Sequence, residues 1–432
     1  MIKAHVRIIL KGLKSISLRI AFHSFFPGMF LAFLPFHPVS SQCNGFQSTV
    51  VISLDGFRWD YPEKANTPTL DQIAKTGVKA HSLIPSFPSK TFPNHYSIAT
   101  GLVPDHHGLV NNSFYDPKMK RPYSMGNADA RFDPAFYGGE PIWISAQKQG
   151  LRTASFYWVG SDVAIQGKHP DYYKTYDGSV PFSERIDTVI HWLSMPQSIR
   201  PQLIMAYYEE PDGIGHDFGP DGKETLSLVH ELDSIIGILY NRIKMLPEAD
   251  CINFIVLSDH GMGATSTERY VNLRDYIPES WPVKIVGGNP NYNLYAEGKW
   301  IDSSYNALKK VAHIKTWKPT AVPEHLSYGT NPRTGNIIVV ADSAWSVTDR
   351  EPKKPATGGT HGYDIRNTDM HAIFYATGPS FREGYIHPSF QNIHIYALLA
   401  QILVINPALT DGDLNQVIDM LKPQNVPNDP IE

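Results

Sequence analysis

Only two cysteines, Cys43 and Cys251, occur in 432 residues. That excludes a disulfide-stapled scaffold and every cysteine-rich zinc module, so a metal site in this chain has to be built from histidines and carboxylates. Strong charge of one sign is also missing. There are 38 Lys and Arg against 42 Asp and Glu, and a formal net charge of −4 gives no general attraction to a nucleic-acid duplex. No repeat, low-complexity tract or clear linker is visible, and beyond the first 42 residues no apolar run has membrane-spanning length. What is present, 42% hydrophobic and 12% aromatic residues, suffices for a large globular core. The length fits two or three domains, or one large domain with insertions.

The small net charge hides an asymmetry. Residues 1–42 carry Lys3, Arg7, Lys11, Lys14 and Arg19 and no acid, followed by a mostly apolar stretch from Ile20 to Phe36 and then small polar residues. This is the pattern of an export signal peptide, with an uncleaved signal anchor as the alternative. The run is short for a bilayer and contains His23, Ser24, Pro27 and Gly28. The expected location is therefore exported, periplasmic or secreted, or else membrane-anchored with the rest of the chain outside the cytoplasm. Cys43 lies beside the expected cleavage site. Whether it is acylated or pairs with Cys251 stays open, and Cys251 reads as a buried core thiol.

From Thr49 onward, apolar runs alternate with amphipathic segments, the pattern of an α/β protein around a mostly parallel sheet. Strands are expected at 49–54, 78–84, 153–158, 202–208, 252–257, 336–340 and 371–377. Helices are expected at 68–76, capped by Thr67, and at 93–100, 142–149, 182–193, 223–245, 305–311 and 393–404. The stretch 264–357, richer in Pro, Gly and irregular polar sequence, reads as a smaller inserted lobe within a domain spanning 43–432.

Several strands run into carboxylates and histidines. Asp55 follows the first strand, Asp212 and His216 lie in a glycine-containing loop after 202–208, Asp259-His260 follow 252–257, and His361 sits in a glycine-rich loop before the last strand. Ligands of open α/β sheets bind at the carboxyl ends of strands, so these residues can converge. Three Asp and three His suit zinc and suffice for two metals at three protein ligands each. A nucleophile is available in Ser89 or Thr91, just before a helix whose free N–H groups favour phosphate.

At this point the residues resemble the nucleotide pyrophosphatase/phosphodiesterase family of the alkaline phosphatase superfamily. The blocks are Val51-Ile-Ser-Leu-Asp55-Gly-Phe-Arg58, Pro88-Ser-Lys-Thr91-Phe-Pro-Asn-His95, Gly101-Leu-Val-Pro-Asp-His-His-Gly-Leu-Val-Asn-Asn112, Glu209-Glu-Pro-Asp212-Gly-Ile-Gly-His216 and Ser258-Asp259-His260-Gly-Met262. The resemblance implies an alkaline-phosphatase-like α/β/α sandwich with an inserted lobe. It implies two zinc ions, one on Asp212, His216 and His361, the other on Asp55, Asp259, His260 and the oxygen of Thr91. Thr91 is then the nucleophile, and Asn112 steadies a non-bridging phosphate oxygen. Phe92 and Tyr176 match the pair that stacks on a nucleotide base, and Met125, Trp158, Asp162 and Tyr207 match other pocket positions. The implied substrates are small nucleotides such as ATP, dinucleotides and nucleotide-sugar-like diesters, cleaved through a threonyl intermediate to nucleoside 5'-monophosphates. Neither a nucleic-acid duplex nor a stable protein partner is expected.

Overall fold

The computed structural model describes residues 43, 46–350 and 358–423. The basic and apolar segment 1–42 lies outside the described residues, as does the end of the expected insertion. Among the described residues no helix is long and apolar enough to cross a membrane.

Eight strands form the main sheet. They are β1 (Ser48–Leu54), β2 (Val78–Ala80), β3 (Thr153–Phe156), β4 (Tyr172–Lys174), β5 (Leu203–Tyr208), β6 (Ile252–Leu257), β7 (Phe374–Thr377) and β8 (Tyr385–His387), in the spatial order β8-β2-β7-β6-β1-β5-β3-β4. Only β7 runs antiparallel to its neighbours; the pairings β1–β5, β1–β6, β3–β5, β3–β4 and β2–β8 are parallel. The central strands carry unbroken apolar runs because both faces are covered. Val51, Met205 and Ile255 point to one side, against α2 (Thr91–Thr100), α3 (Ile142–Lys148) and α7 (His394–Leu403). Their neighbours Val50, Ile52, Ile204 and Val256 point to the other, against α1 (Pro68–Thr76), α4 (Phe182–Leu193) and α6 (Lys223–Lys244). The result is an α/β/α sandwich with one apolar cluster on each face.

Several expectations need correction, among them the helix expected at 305–311, which is Lys299–Leu308. Thr67 makes no capping bond; instead Asp233 of α6 accepts from Thr69 N and Leu70 N at 3.0 and 2.9 Å, so a neighbouring helix caps α1. The run 78–84 is broken into β2 and a separate two-residue strand, Leu83–Ile84. The strand expected at 336–340 exists as Ile337–Ala341, but in another sheet. That sheet is antiparallel, ordered Lys284–Gly288, Asn291–Tyr295, Ile337–Ala341, Ile314–Trp317, and packs with helix Lys299–Leu308 around Leu294, Leu308 and Val339. It forms a smaller lobe with its own apolar cluster, within the stretch read as an insertion. Finally, Cys251 is no free core thiol. It is bonded to Cys43, at the start of β6.

Candidate metal centre and active site

The strands β5, β1 and β6 lie side by side in register, Leu54 opposite Tyr208 and Ser53 opposite Leu257, so their carboxyl ends open at one level. Asp55 leaves β1 there and Asp259-His260 leave β6. The turn at Asp55 depends on Gly56, whose φ of +69° suits glycine and where a Cβ would lie 3.0 Å from Asp212. The stretch after β5, read from its glycines as a loop, is a helix, α5 (Asp212–Phe218). Its 3.6-residue period places Asp212 and His216 on one face, with His216 Nε2 3.4 Å from Asp212 Oδ2. Opposite them, Gly358–Thr360 pairs with Gly263–Thr265 and delivers His361. A Cβ on Gly358 would fall 2.0 Å from the His216 carbonyl, so the glycine permits this approach.

All six expected metal ligands therefore meet. His361 Nε2 is 3.5 Å from Asp212 Oδ1, and His260 Nε2 is 3.3 Å from Asp55 Oδ1 and 3.1 Å from Asp259 Oδ2. Two groupings have ligand atoms within reach of one ion: Asp212, His216 and His361, and Asp55, Asp212 and His260. Asp212 belongs to both, whereas the resemblance gave it to one. The residues fit cations. Asp55 Oδ1 and Asp212 Oδ1 are buried yet accept no hydrogen bond from any described residue. Each ligand histidine donates Nδ1 to a backbone carbonyl: His216 to Gly359, His260 to Gly261 and His361 to Ser89, at 2.8, 2.9 and 2.7 Å. That fixes the tautomer and leaves three Nε2 lone pairs directed at the unpartnered carboxylate oxygens.

Thr91 begins α2 itself, two residues before the expected start, with Lys90 as N-cap and no side-chain capping bond. Its hydroxyl is thus not used as a cap; Oγ1 lies 3.3 Å from His260 Nε2. Ser89, the other nucleophile candidate, is committed to Gly362 N and the Tyr363 carbonyl and holds His361 through its own carbonyl. Asn112 Oδ1 accepts from Phe92 N at 3.0 Å, which leaves Nδ2 as the donor end beside the helix N-terminus.

A model of the family described as type I phosphodiesterase / nucleotide pyrophosphatase matches residues 49–364. The chain belongs to that family. Human ectonucleotide pyrophosphatase/phosphodiesterase family member 1 is 36% identical over 409 residues, 90% of this chain and 44% of its own length. Venom phosphodiesterase CdcPDE of Crotalus durissus collilineatus is 34% identical over 396 residues, 89% of this chain and 48% of its own. The chain thus spans about half the length of the curated relatives it matches. Among solved structures, an inactive threonine-to-alanine variant of murine ectonucleotide pyrophosphatase/phosphodiesterase 5, in complex with AMP, superposes with a TM-score of 0.83 at 32% identity, over 87% of this chain and 100% of that one. The fold is alkaline-phosphatase-like, as the sequence blocks implied.

In this family member the centre is electrostatically frustrated without a cation. Burial, reinforced by Asp259 and Asp212, holds the Asp55 carboxyl well above the usual range. Asp259 is drawn down to about 2 by His260 and His95, against its burial. Burial, with His260, Lys90 and His216 nearby, keeps His361 well below its ordinary value and therefore neutral. A divalent cation relieves the conflict, favouring ionised carboxylates and neutral imidazoles together. Burial also lowers Lys90 to about 7, with Asp212 opposing; its Nζ donates to the Asn289 carbonyl of the lobe.

The residues expected to line a substrate pocket fall into two groups. Tyr176 and Met125 are exposed, Phe92 next to Thr91 is half-buried, and the Met125 N–H donates to the Asn112 carbonyl at 3.0 Å. Asp162 is half-buried, and burial raises its pKa. Trp158 and Tyr207 lie deeper. Trp158 is 1% exposed and donates Nε1 to the His95 carbonyl, so its ring belongs to the core; Tyr207 donates its hydroxyl to Asp55 Oδ2 at 2.6 Å. Sequence reasoning overlooked His95. Its Nδ1 lies 3.0 Å from the Thr91 carbonyl and 3.3 Å from Asp259 Oδ2, and its Nε2 2.8 Å from Ser53 Oγ. Its spacing of four residues from Thr91 on a helix was the available signal. The sequon Asn111-Asn112-Ser113 is closed to a glycan, because Asn111 is buried and its Nδ2 donates to Asn291 Oδ1.

Proposed function

We propose that this chain is a two-zinc nucleotide pyrophosphatase/phosphodiesterase that hydrolyses small nucleotide diesters and anhydrides, such as ATP and dinucleotides, to nucleoside 5'-monophosphates. The observation that carries this reading is Thr91: an uncapped hydroxyl at a helix N-terminus, within 3.3 Å of His260 in a cluster of unpartnered carboxylate oxygens. One zinc is assigned to Asp212, His216 and His361, the other to Asp55, Asp259, His260 and Thr91. Bound there, zinc supplies charge neutralisation for phosphoryl oxygens and acidifies the Thr91 hydroxyl. Thr91 Oγ1 gives up its proton to solvent and attacks phosphorus in line, forming the threonyl P–O bond as the leaving group departs with the electron pair of its own P–O bond. Asn112 Nδ2 and the N–H groups of α2 hold a non-bridging oxygen. Water then cleaves the threonyl ester, releasing the monophosphate and restoring the hydroxyl. The AMP bound by the murine relative supports the nucleotide, and the inactive threonine-to-alanine change in that protein supports the nucleophile. The disulfide and the names of the relatives support export to an oxidising compartment, as a secreted, periplasmic or membrane-anchored enzyme.

The test is a panel of ATP, a dinucleotide and glycerophosphocholine, with and without chelator. Hydrolysis of the first two, abolished by chelator and restored by zinc, is expected; preference for glycerophosphocholine overturns the nucleotide assignment. Thr91→Ala is expected to lower kcat by about 10³-fold or more. A chiral phosphorothioate diester should react with retention at phosphorus, since two displacements each invert it; net inversion excludes the threonyl ester.

A further inference from the structure

Tyr176 stands exposed in the loop after β4, and its ring would stack freely on a ligand only if something held it. Tyr157 packs against it edge-on, with ring centroids 5.2 Å apart. Tyr157 follows β3 at the carboxyl edge of the sheet, is 6% exposed, and has φ +71°. A bulky residue rarely adopts that conformation, and such strain persists only where the surroundings enforce it. Here they do. The guanidinium of Arg185, fully buried, lies 5.1 Å from the centre of the Tyr157 ring. Arg185 in turn grips both carboxylate oxygens of Glu209 and the carbonyl of Tyr207. Glu209 opens the segment that leads into Asp212. A continuous stack thus runs from the strand end beside the metal ligands, through Glu209, Arg185 and Tyr157, to the exposed Tyr176 ring. Tyr207, 6.4 Å from Tyr176, closes the other side.

We propose that Tyr157, set in its left-handed conformation on the Arg185–Glu209 pair, is a specificity-determining positioning residue that fixes Tyr176 as a stacking platform for the base of a nucleotide substrate. It rests on the nucleotide reading above and deepens it. Tyr157 does not touch substrate. It acts by removing the freedom Tyr176 would otherwise lose on binding, so its contribution falls on recognition of the base and not on cleavage of the phosphodiester. A glycine would take this backbone without strain; the aromatic ring is what the site gains from holding a tyrosine there.

Two substrates with the same leaving group separate these effects: the 4-nitrophenyl ester of thymidine 5'-monophosphate, and bis(4-nitrophenyl) phosphate, which has no base. Tyr157→Leu keeps most of the side-chain volume, and Tyr157→Gly suits the backbone. Each is expected to raise KM for the thymidine ester about tenfold, within the range of a lost base–aromatic stack. KM for the base-free diester should stay within about twofold of wild type. Tyr157→Phe, which retains the ring, should restore the wild-type KM. KM does not depend on the fraction of folded enzyme, so a variant that folds poorly still reports the effect. Equal losses on both substrates, or an unchanged KM for the thymidine ester, overturn the role of Tyr157. If the wild-type enzyme itself shows no preference for the thymidine ester, the nucleotide reading falls first, and this inference with it.

Discussion

The Tyr207 hydroxyl takes one oxygen of Asp55, Oδ2, while the other, Oδ1, faces His260 Nε2. The hydrogen bond orients the carboxylate and leaves a single oxygen for a cation, the kind of outer partner whose loss typically costs 10–100-fold in metal affinity or activity. Tyr207→Phe keeps the ring and removes only this bond. The expected result is a metal affinity weakened by about tenfold, read by titrating zinc into the metal-free protein, with KM for nucleotides little changed. A large rise in KM at unchanged metal affinity would instead make Tyr207 a substrate contact. The residues proposed to carry the chemistry were legible in the sequence because each sits in a short block of unusual composition. The two aromatics Trp158 and Tyr207, expected in the pocket, were less so, since an aromatic that faces a ligand and one that supports a ligand-bearing group have the same local pattern.

At the scale of elements, α5 marks the limit of reading by composition. Gly213 and Gly215 argue for a loop, yet a side chain on Gly215 would crowd Met262, and Gly358 packs against the last turn, so the glycines serve close packing of a helix. Tertiary contact overrides propensity there. The capping of α1 by Asp233 was hidden for a related reason: the donor and acceptor are 164 and 163 residues apart. The short helix Pro104–His107 carries a testable element of another kind. His107 is fully buried; its Nδ1 accepts from Leu109 N and its Nε2 meets Ser97 Oγ of α2. Burial lowers its pKa to about 3. A proton that the unfolded chain accepts below about pH 6.5 is therefore refused by the folded one until about pH 3. Stability is full above pH 6.5 and falls as pH drops, by up to about 1.4 kcal/mol per pH unit from this group. Denaturant unfolding of wild type and His107→Gln between pH 4 and 7 should show a shallower decline in the variant; parallel curves would remove His107 from the acid response.

Across the whole molecule, the mostly parallel sheet was readable because strands buried on both faces leave continuous apolar runs, whereas the lobe's antiparallel sheet was seen only as one strand and an irregular stretch. Its strands alternate with polar loops, and its contacts with the rest bridge long sequence separations, as where Lys90 donates to the Asn289 carbonyl and Asp105 accepts from Gly329 N and Thr330 N. The disulfide was beyond sequence reading, since its partners are 208 residues apart. It closes slightly more than the first half of the stretch 43–432 into one loop, so Cys251→Ser or reduction is expected to lower stability by about 3 kcal/mol. The same change should leave kcat and KM unaltered at temperatures where the protein stays folded. Thermal unfolding with and without reductant measures the first, and assays on the same samples the second; a loss of activity before unfolding would contradict the separation.

That separation has a geometric meaning. Cys43 is fastened where β6 begins, and Asp259 and His260 follow where β6 ends, so the six-residue strand sets them roughly 20 Å apart on opposite poles of the sheet. The chain at Cys43 is therefore fastened at the pole of the sheet opposite Asp259 and His260. The polarity of one strand thereby keeps the covalent fastening and the candidate metal ligands at opposite ends of the sheet.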